Sequence, residues 1–242
     1  MSWLAPERYA AELEAETARL AAAAAGQFPE AVVPACPEWT VRDLVTHVGS
    51  GHRLAAGIIE ARRDSPAPYR LVDAPDDPAE WAGWLASGAR RLTDAVRDLG
   101  FDGRVWTWQP QHQTAGFWLR RMVHDLIIHR FDADEIDHDV TGGLAPDLAA
   151  DGIADMLLVF EIVGKFAGDG ERLQFTATDT GDGWHATLDA GGLSWRAGTA
   201  PADVTVSAPV TDLLLVLNRR REPAAVEGDR ELFDRWWAIT RF

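Results

Sequence analysis

The spacing of apolar residues changes near residues 140 to 147 of this 242-residue chain, and that change limits the folds it can adopt. Before it, apolar residues recur every three or four positions, which is typical of helices that bury one face. After it, residues 173–195 alternate apolar and polar side chains between turn sequences, which predicts antiparallel strands. We therefore predict an α+β chain, with a helical domain at residues 1–143 and a small α+β domain at residues 144–242.

Four amphipathic segments make up the helical half. They are residues 6–25, a segment that begins after Thr40, residues 78–100 and residues 114–137. Thr40 and Asp43 have the spacing of a capping box, and Trp39 with Leu44 that of a hydrophobic staple, so the second helix should start at this point. Because no strand pattern separates the four segments, we expect a four-helix bundle.

The second half mixes both element types. The pattern predicts a helix at residues 146–166, a three-stranded antiparallel meander at residues 173–195, a strand at residues 202–208 and helices at residues 210–221 and 229–240. These elements predict a small α+β domain with an antiparallel sheet.

Composition excludes several classes of protein. The 38 acidic and 23 basic residues give a net charge of −15, which argues against nucleic-acid binding and against an anionic membrane surface. No apolar run is long enough to span a membrane, and the acidic N-terminus does not resemble a secretory signal, so we expect a cytoplasmic protein. Small-molecule partners and a monomer or weak dimer are expected.

The stretch RMVHDLIIHRFDAD at residues 121–134 places polar side chains in an otherwise apolar helix. Asp125 and His129 are four residues apart, so they share a helix face and could bind one metal. His124 points roughly 140° away from His129. His47, inside the second helix, is the best candidate for a third ligand. The alternative is a buried, hydrogen-bonded Asp125–His129 pair without metal.

Three longer segments carry a resemblance to a known family. CPEWTVRDLVTHVGSGHR, WLRRMVHDLIIHRFDAD and VSAPVTDLLLVLNRRREPAAVEGDRELFDRW are similar to the signatures of the actinobacterial mycothiol-dependent maleylpyruvate isomerase family, a branch of the DinB-like superfamily. The resemblance covers nearly the whole chain and implies a DinB-like four-helix bundle followed by the α+β domain of that family.

The resemblance also implies a metal site. A divalent metal, zinc in the type enzyme, would be held by His47, Asp125 and His129, although the family pattern has glutamate where this chain has Asp125. An arginine late in the chain would receive a substrate carboxylate, and Arg220 or Arg221 matches that region. The alternative for these arginines is a solvated helix C-terminus, where cations favour the helix dipole.

The implied chemistry uses an external thiol, with mycothiol as the cosubstrate. The metal would deprotonate the thiol, and the thiolate would add to an electrophile, either isomerising it or remaining attached. Two alternatives stay open: a metal-dependent isomerase, lyase or cyclase that does not use mycothiol, and a non-catalytic protein that binds a small apolar acid.

The remaining polar residues have structural interpretations. The single cysteine, Cys36, excludes a disulfide framework and is expected to pack in a proline-rich loop. His52 and His124 are expected to be helix residues satisfied by local hydrogen bonds. An acidic run is interpreted as a solvated helix end that lacks the pattern of a calcium loop: Asp132, Asp134, Glu135, Asp137 and Asp139.

Overall fold

The computed structural model describes residues 3–137, 143–163, 166–223 and 225–240. These residues form two compact units, one containing the described residues from 4 to 137 and the other containing Trp3 and the described residues from 143 to 240. The first is mainly helical and the second combines helices with a five-stranded sheet, so the predicted α+β class is confirmed. Within the described part of the chain, no helix has the length and hydropathy that a membrane crossing requires.

The first unit consists of four helices and a short hairpin. In chain order the elements are α1 (Pro6–Ala24), β1 (Val32–Val33), β2 (Cys36–Thr40), α2 (Val41–Glu60), α3 (Trp81–Leu99) and α4 (Ala115–Asp134). Helix α1 packs on α4 and α2 packs on α3, and α2 also contacts α4. The face of α2 that meets α4 carries His47.

Local sequence fixes where these helices begin and end. The Thr40 hydroxyl accepts a hydrogen bond from the Asp43 backbone N–H, and the Asp43 carboxylate accepts one from the Thr40 backbone, so the predicted capping box is present. Gly100 follows α3 with φ of 93°, a conformation that favours glycine and stops the helix. A single 3-10 turn, Glu135–Asp137, continues α4.

The hairpin between α1 and α2 was not expected from the sequence. Strands β1 and β2 pair antiparallel, with an irregular register between Val32 and Val33. Proline residues obscured the strand pattern here, and Pro37 lies inside β2, in a two-stranded ribbon where a missing N–H is tolerated.

The second unit is built on a sheet with strand order β5-β4-β3-β6-β7. Its elements are α5 (Pro146–Val163), β3 (Glu171–Ala177), β4 (Gly183–Asp189), β5 (Gly192–Ala197), β6 (Val204–Ala208), α6 (Val210–Leu217), β7 (Ala225–Gly228) and α7 (Arg230–Ile239). The antiparallel meander β3–β4–β5 is present as predicted. Strand β6 pairs parallel to β3, because the chain crosses back from the β5 edge instead of turning beside it. The short strand β7 was missed.

Helix α6 ends earlier than the sequence suggests. It stops at Leu217, whereas the apolar pattern predicted a helix through residue 221. Arg219 has φ of 65°, in the left-handed region that a continuing helix excludes. The arginine run at residues 219–221 therefore lies in a turn after the helix.

Candidate metal site

Helices α2 and α4 bring together His47, Asp125 and His129. Each offers one ligand atom, and these atoms lie within 4.8 Å of one another. The Oδ2 atom of Asp125 is 3.4 Å from Nε2 of His47 and 4.0 Å from Nε2 of His129. The side chains of His47 and Asp125 are 31% and 25% exposed, so the group is reachable from solvent. Two imidazole nitrogens and one carboxylate oxygen form a donor set suited to zinc or ferrous iron.

The Asp125 carboxylate uses its two oxygens differently. Oδ2 faces the two histidines, while Oδ1 lies 3.0 Å from Nη2 of Arg121, one helical turn earlier on α4. Arg121 therefore fixes the orientation of the carboxylate that the short aspartate side chain presents to the histidines.

The charge state of the group follows from these contacts. Burial raises the pKa of Asp125, but the hydrogen bond from His47 and the charges of His129, His47 and Arg121 outweigh it and hold the pKa well below its ordinary value. Burial lowers the pKa of His47, and Asp125 reverses this effect and raises the pKa above 6.5. Asp125 is therefore an anion at neutral pH, which is the form that binds metals.

Asp132 fixes the orientation of the His129 ring. Its Oδ2 lies 2.9 Å from Nδ1 of His129, and its side chain is fully buried. When Nδ1 donates its proton to Asp132, Nε2 carries the lone pair that faces Asp125. Carboxylates in this position are typical partners of metal-binding histidines. The thiol of Cys36 donates to the same Oδ2 over 3.8 Å, so Cys36 contacts this network instead of only filling a loop.

Trp39 covers the two histidines. Its ring centroid lies 4.8 Å from that of His47 and 5.5 Å from that of His129. The sequence assigned Trp39 only to a hydrophobic staple, because no local pattern indicates that β2 passes beside α4.

A loop between α2 and α3 lies close to the same group. The backbone N–H of Val72 donates to the Ser50 hydroxyl, and the N–H of Ala74 donates to Thr46, the residue before His47. Tyr69 belongs to this loop; burial and then the negative charge of Asp125 raise the pKa of its phenol. Sequence reasoning gave no role to this segment.

Most of the helical unit matches a known protein family. The family model described as the mycothiol maleylpyruvate isomerase N-terminal domain matches residues 10–134, more than half of the chain. The chain belongs to this family. The resemblance predicted from the sequence is thereby confirmed, and the matched range contains His47, Asp125 and His129.

Solved structures show the same fold. A crystal structure of the mycothiol-dependent maleylpyruvate isomerase aligns with 14% sequence identity and a TM-score of 0.65, covering 93% of each chain. A histidine-to-alanine mutant of that enzyme aligns with 15% identity and a TM-score of 0.59, covering 90% of each chain. Comparison with curated proteins finds no significant match.

The two arginines predicted for substrate binding lie outside the range of the family match, in the second unit. The Arg221 guanidinium forms an ion pair with the carboxylate of Asp212. Nη1 of Arg220 donates to the backbone carbonyl of Asn218 over 2.8 Å. Their role in carboxylate binding stays a prediction.

Two interpretations of polar residues in the helical unit were wrong. His52 is buried, and among the described residues neither ring nitrogen has a hydrogen-bond partner; burial lowers its pKa to about 4. Asp132 and Asp134 are also buried instead of forming a solvated helix end, whereas Asp139 lies outside the described residues. His124 is separate from the metal group, and its ring packs edge-on against Tyr9.

Proposed function

We propose that the chain is a metal-dependent, mycothiol-using isomerase or thiol S-transferase that acts on a small, carboxylate-bearing electrophile. The observation that carries this proposal is the convergence of His47, Asp125 and His129, with a buried carboxylate behind one of the histidines. Family membership supports the use of a thiol, because the family is described by mycothiol and by maleylpyruvate isomerisation.

The residues fit a divalent metal. The two Nε2 atoms and Oδ2 of Asp125 would be the ligands, and zinc is the expected ion because it favours histidine and carboxylate ligands in this combination. Aspartate in place of the family's glutamate is compatible with this donor set, because Asp125 already lies between the two histidines. Its contact with Arg121 leaves Oδ2 as the oxygen that would bind the metal.

A bound divalent metal would lower the pKa of a coordinated thiol, so that the thiolate is available near neutral pH. The protein would supply the surroundings. Trp39 shields the two imidazoles from water on one side, and Asp132 keeps the His129 ring oriented. In an isomerase the sulfur would add to the electrophile and leave again; in a transferase it would stay on the product.

The thiol is expected to come from outside the chain. Cys36, the single cysteine, directs its sulfur to the carboxylate of Asp132 and lies outside the three-residue ligand group. Arg220 or Arg221 would bind a substrate carboxylate, as the family resemblance implies.

Elemental analysis tests the metal. Protein purified without chelator should contain a stoichiometric divalent metal, and His47→Ala and His129→Ala should each lose it while remaining folded. His112→Ala, a histidine substitution elsewhere in the helical unit, is the matched control and should retain the metal. Wild-type protein without stoichiometric metal, even after dialysis against zinc, would contradict the proposal.

Thiol dependence tests the reaction. Turnover of maleylpyruvate by the metal-loaded protein should require mycothiol and should stop after chelation. Turnover of an electrophile without any thiol would favour the thiol-independent alternative. Ligand affinity that is unchanged by chelation, with no turnover, would favour a binding protein.

A further inference from the structure

We propose that Arg121 receives a carboxylate of the molecule that reacts at the His47–Asp125–His129 group, an assignment that rests on the proposed function. Arg121 would thus be a specificity-determining residue in the helical unit itself. It would act in addition to any arginine of the second unit.

The position of Arg121 is the first argument. Its Nη2 lies 3.0 Å from Oδ1 of Asp125, and the other oxygen of the same carboxylate faces both histidines. The guanidinium is therefore separated from the ligand atoms by the width of one carboxylate group. A molecule bound at the metal would have this cation beside it.

The charge balance is the second argument. A divalent metal and Arg121 bring three positive charges, by their formal valence, and the two carboxylates that contact the histidines, Asp125 and Asp132, bring two negative charges. Counted over these four groups, one positive charge is left before a thiolate binds, so the site favours anionic over neutral ligands.

The burial of Arg121 is the third argument. Its side chain is 14% exposed, compared with 31% for that of His47, so it is held by the protein and still accessible. A guanidinium has five N–H donors in a planar fork, a shape that matches a carboxylate. Because the Arg121 side chain is mostly buried, such a contact is stronger there than it is in bulk water.

Two thiols of equal length test the assignment. We would load the full-length protein with Co²⁺ and follow the sulfur-to-cobalt absorption band while titrating 3-mercaptopropionate or 3-mercapto-1-propanol. Wild-type protein should bind the acid about tenfold more tightly than the alcohol, because a charge-assisted hydrogen bond contributes an effect of this order. Arg121→Gln should reduce that ratio to about one, and Arg121→Lys to an intermediate value.

The control variant is Arg8→Gln. Arg8 also pairs with an acid four residues later on a helix of the same unit, 3.2 Å from Glu12, and its removal should leave the ratio unchanged. A ratio that persists in Arg121→Gln, or that is absent in the wild type, would overturn the assignment alone. Loss of cobalt from Arg121→Gln would show that Arg121 only holds Asp125, and would overturn it as well. Failure of the wild-type protein to bind cobalt would overturn the proposed function and this assignment together.

Discussion

Helix α4 carries two groups of charged or candidate metal-binding side chains, and the two groups differ in their burial and in their partners. On one side, Nε of Arg130 lies 3.0 Å from Glu16 on α1, and its Nη1 lies 2.8 Å from Asp134. All three side chains are buried, and each contacts an opposite charge. On the other side, Asp125 and His129 meet His47 in a group that is partly open to solvent.

The difference separates a group with a structural role from the group for which we propose a function. In the Arg130 group, each side chain contacts an opposite charge within the protein, so the group can hold α1 against α4 without a ligand. In the His47 group, two imidazoles and one carboxylate direct ligand atoms towards one another and remain reachable. In our proposal a cation would complete the second group, whereas each side chain of the first already contacts an opposite charge.

The largest expected effect comes from removing the cation of the Arg130 group. Arg130→Met should lower the free energy of unfolding by about 3 to 5 kcal/mol, because it leaves buried carboxylates without their cation. Urea unfolding of metal-free protein measures this loss. Arg19 contacts the same Glu16 but is 46% exposed, so Arg19→Met is a matched control and should cost less than about 1 kcal/mol. Equal effects of the two substitutions would show that the burial of the Arg130 group does not make its contacts stronger than an exposed one.

The second prediction concerns pH. His52 has a pKa of about 4 in the folded protein, below its ordinary value of 6.5, because burial disfavours the charged ring. The unfolded chain therefore binds the proton first as the pH falls, so stability is complete above pH 6.5 and decreases towards pH 4. Between about pH 7.5 and about pH 5 the His52 contribution to unfolding free energy should fall by about 2 kcal/mol.

A variant isolates this contribution from other titrating groups. His52→Leu removes the titration, so its unfolding free energy should lose less than that of the wild type between the two pH values. The difference measures what burial costs a histidine of α2 that has neither an ion pair nor a hydrogen-bond partner among the described residues, in contrast to the partnered histidines of the His47 group. Identical pH dependence in the two proteins would contradict the prediction.

The smallest expected effect concerns Asp132, which contacts His129 of the His47 group. Asp132→Asn keeps the shape of the side chain that contacts His129 but removes its charge, so affinity for zinc should fall about tenfold. Isothermal titration with Zn²⁺ measures this change, and urea unfolding of the metal-free variant should show a much smaller effect than Arg130→Met. Unchanged zinc affinity would assign Asp132 to stability alone.

Several features of the fold could be predicted because their causes are local. The capping box of Thr40 and Asp43, the end of α3 at Gly100 and the meander β3–β4–β5 depend on neighbours a few residues apart. The sequence-based predictions were wrong where contacts between distant parts of the chain determine the structure. The hairpin β1–β2 contains a proline that weakens the strand pattern, and β6 joins the sheet parallel to β3 through a crossing connection.

The residues of the candidate site also divide into those that local spacing predicts and those whose surroundings depend on distant contacts. Asp125 and His129 follow from a four-residue spacing, because a helix places such residues on one face. Asp132 was interpreted as solvated because an acidic run near a helix end normally faces water. Its burial depends on the histidine beside it and on β2, which supplies Cys36.

The sequence by itself determined the α+β class, the family and the pair of candidate ligand residues on α4, since these depend on local spacing and on recognisable segments. The tertiary structure decided which acids are buried, that Trp39 covers the histidines and that Arg121 divides the Asp125 carboxylate between two partners. The physical reason is distance along the chain. Glu16 and Arg130 are separated by 114 positions along the chain. Their contact shows that Arg130 is a buried cation and not a solvated one, and no local sequence pattern indicates this contact.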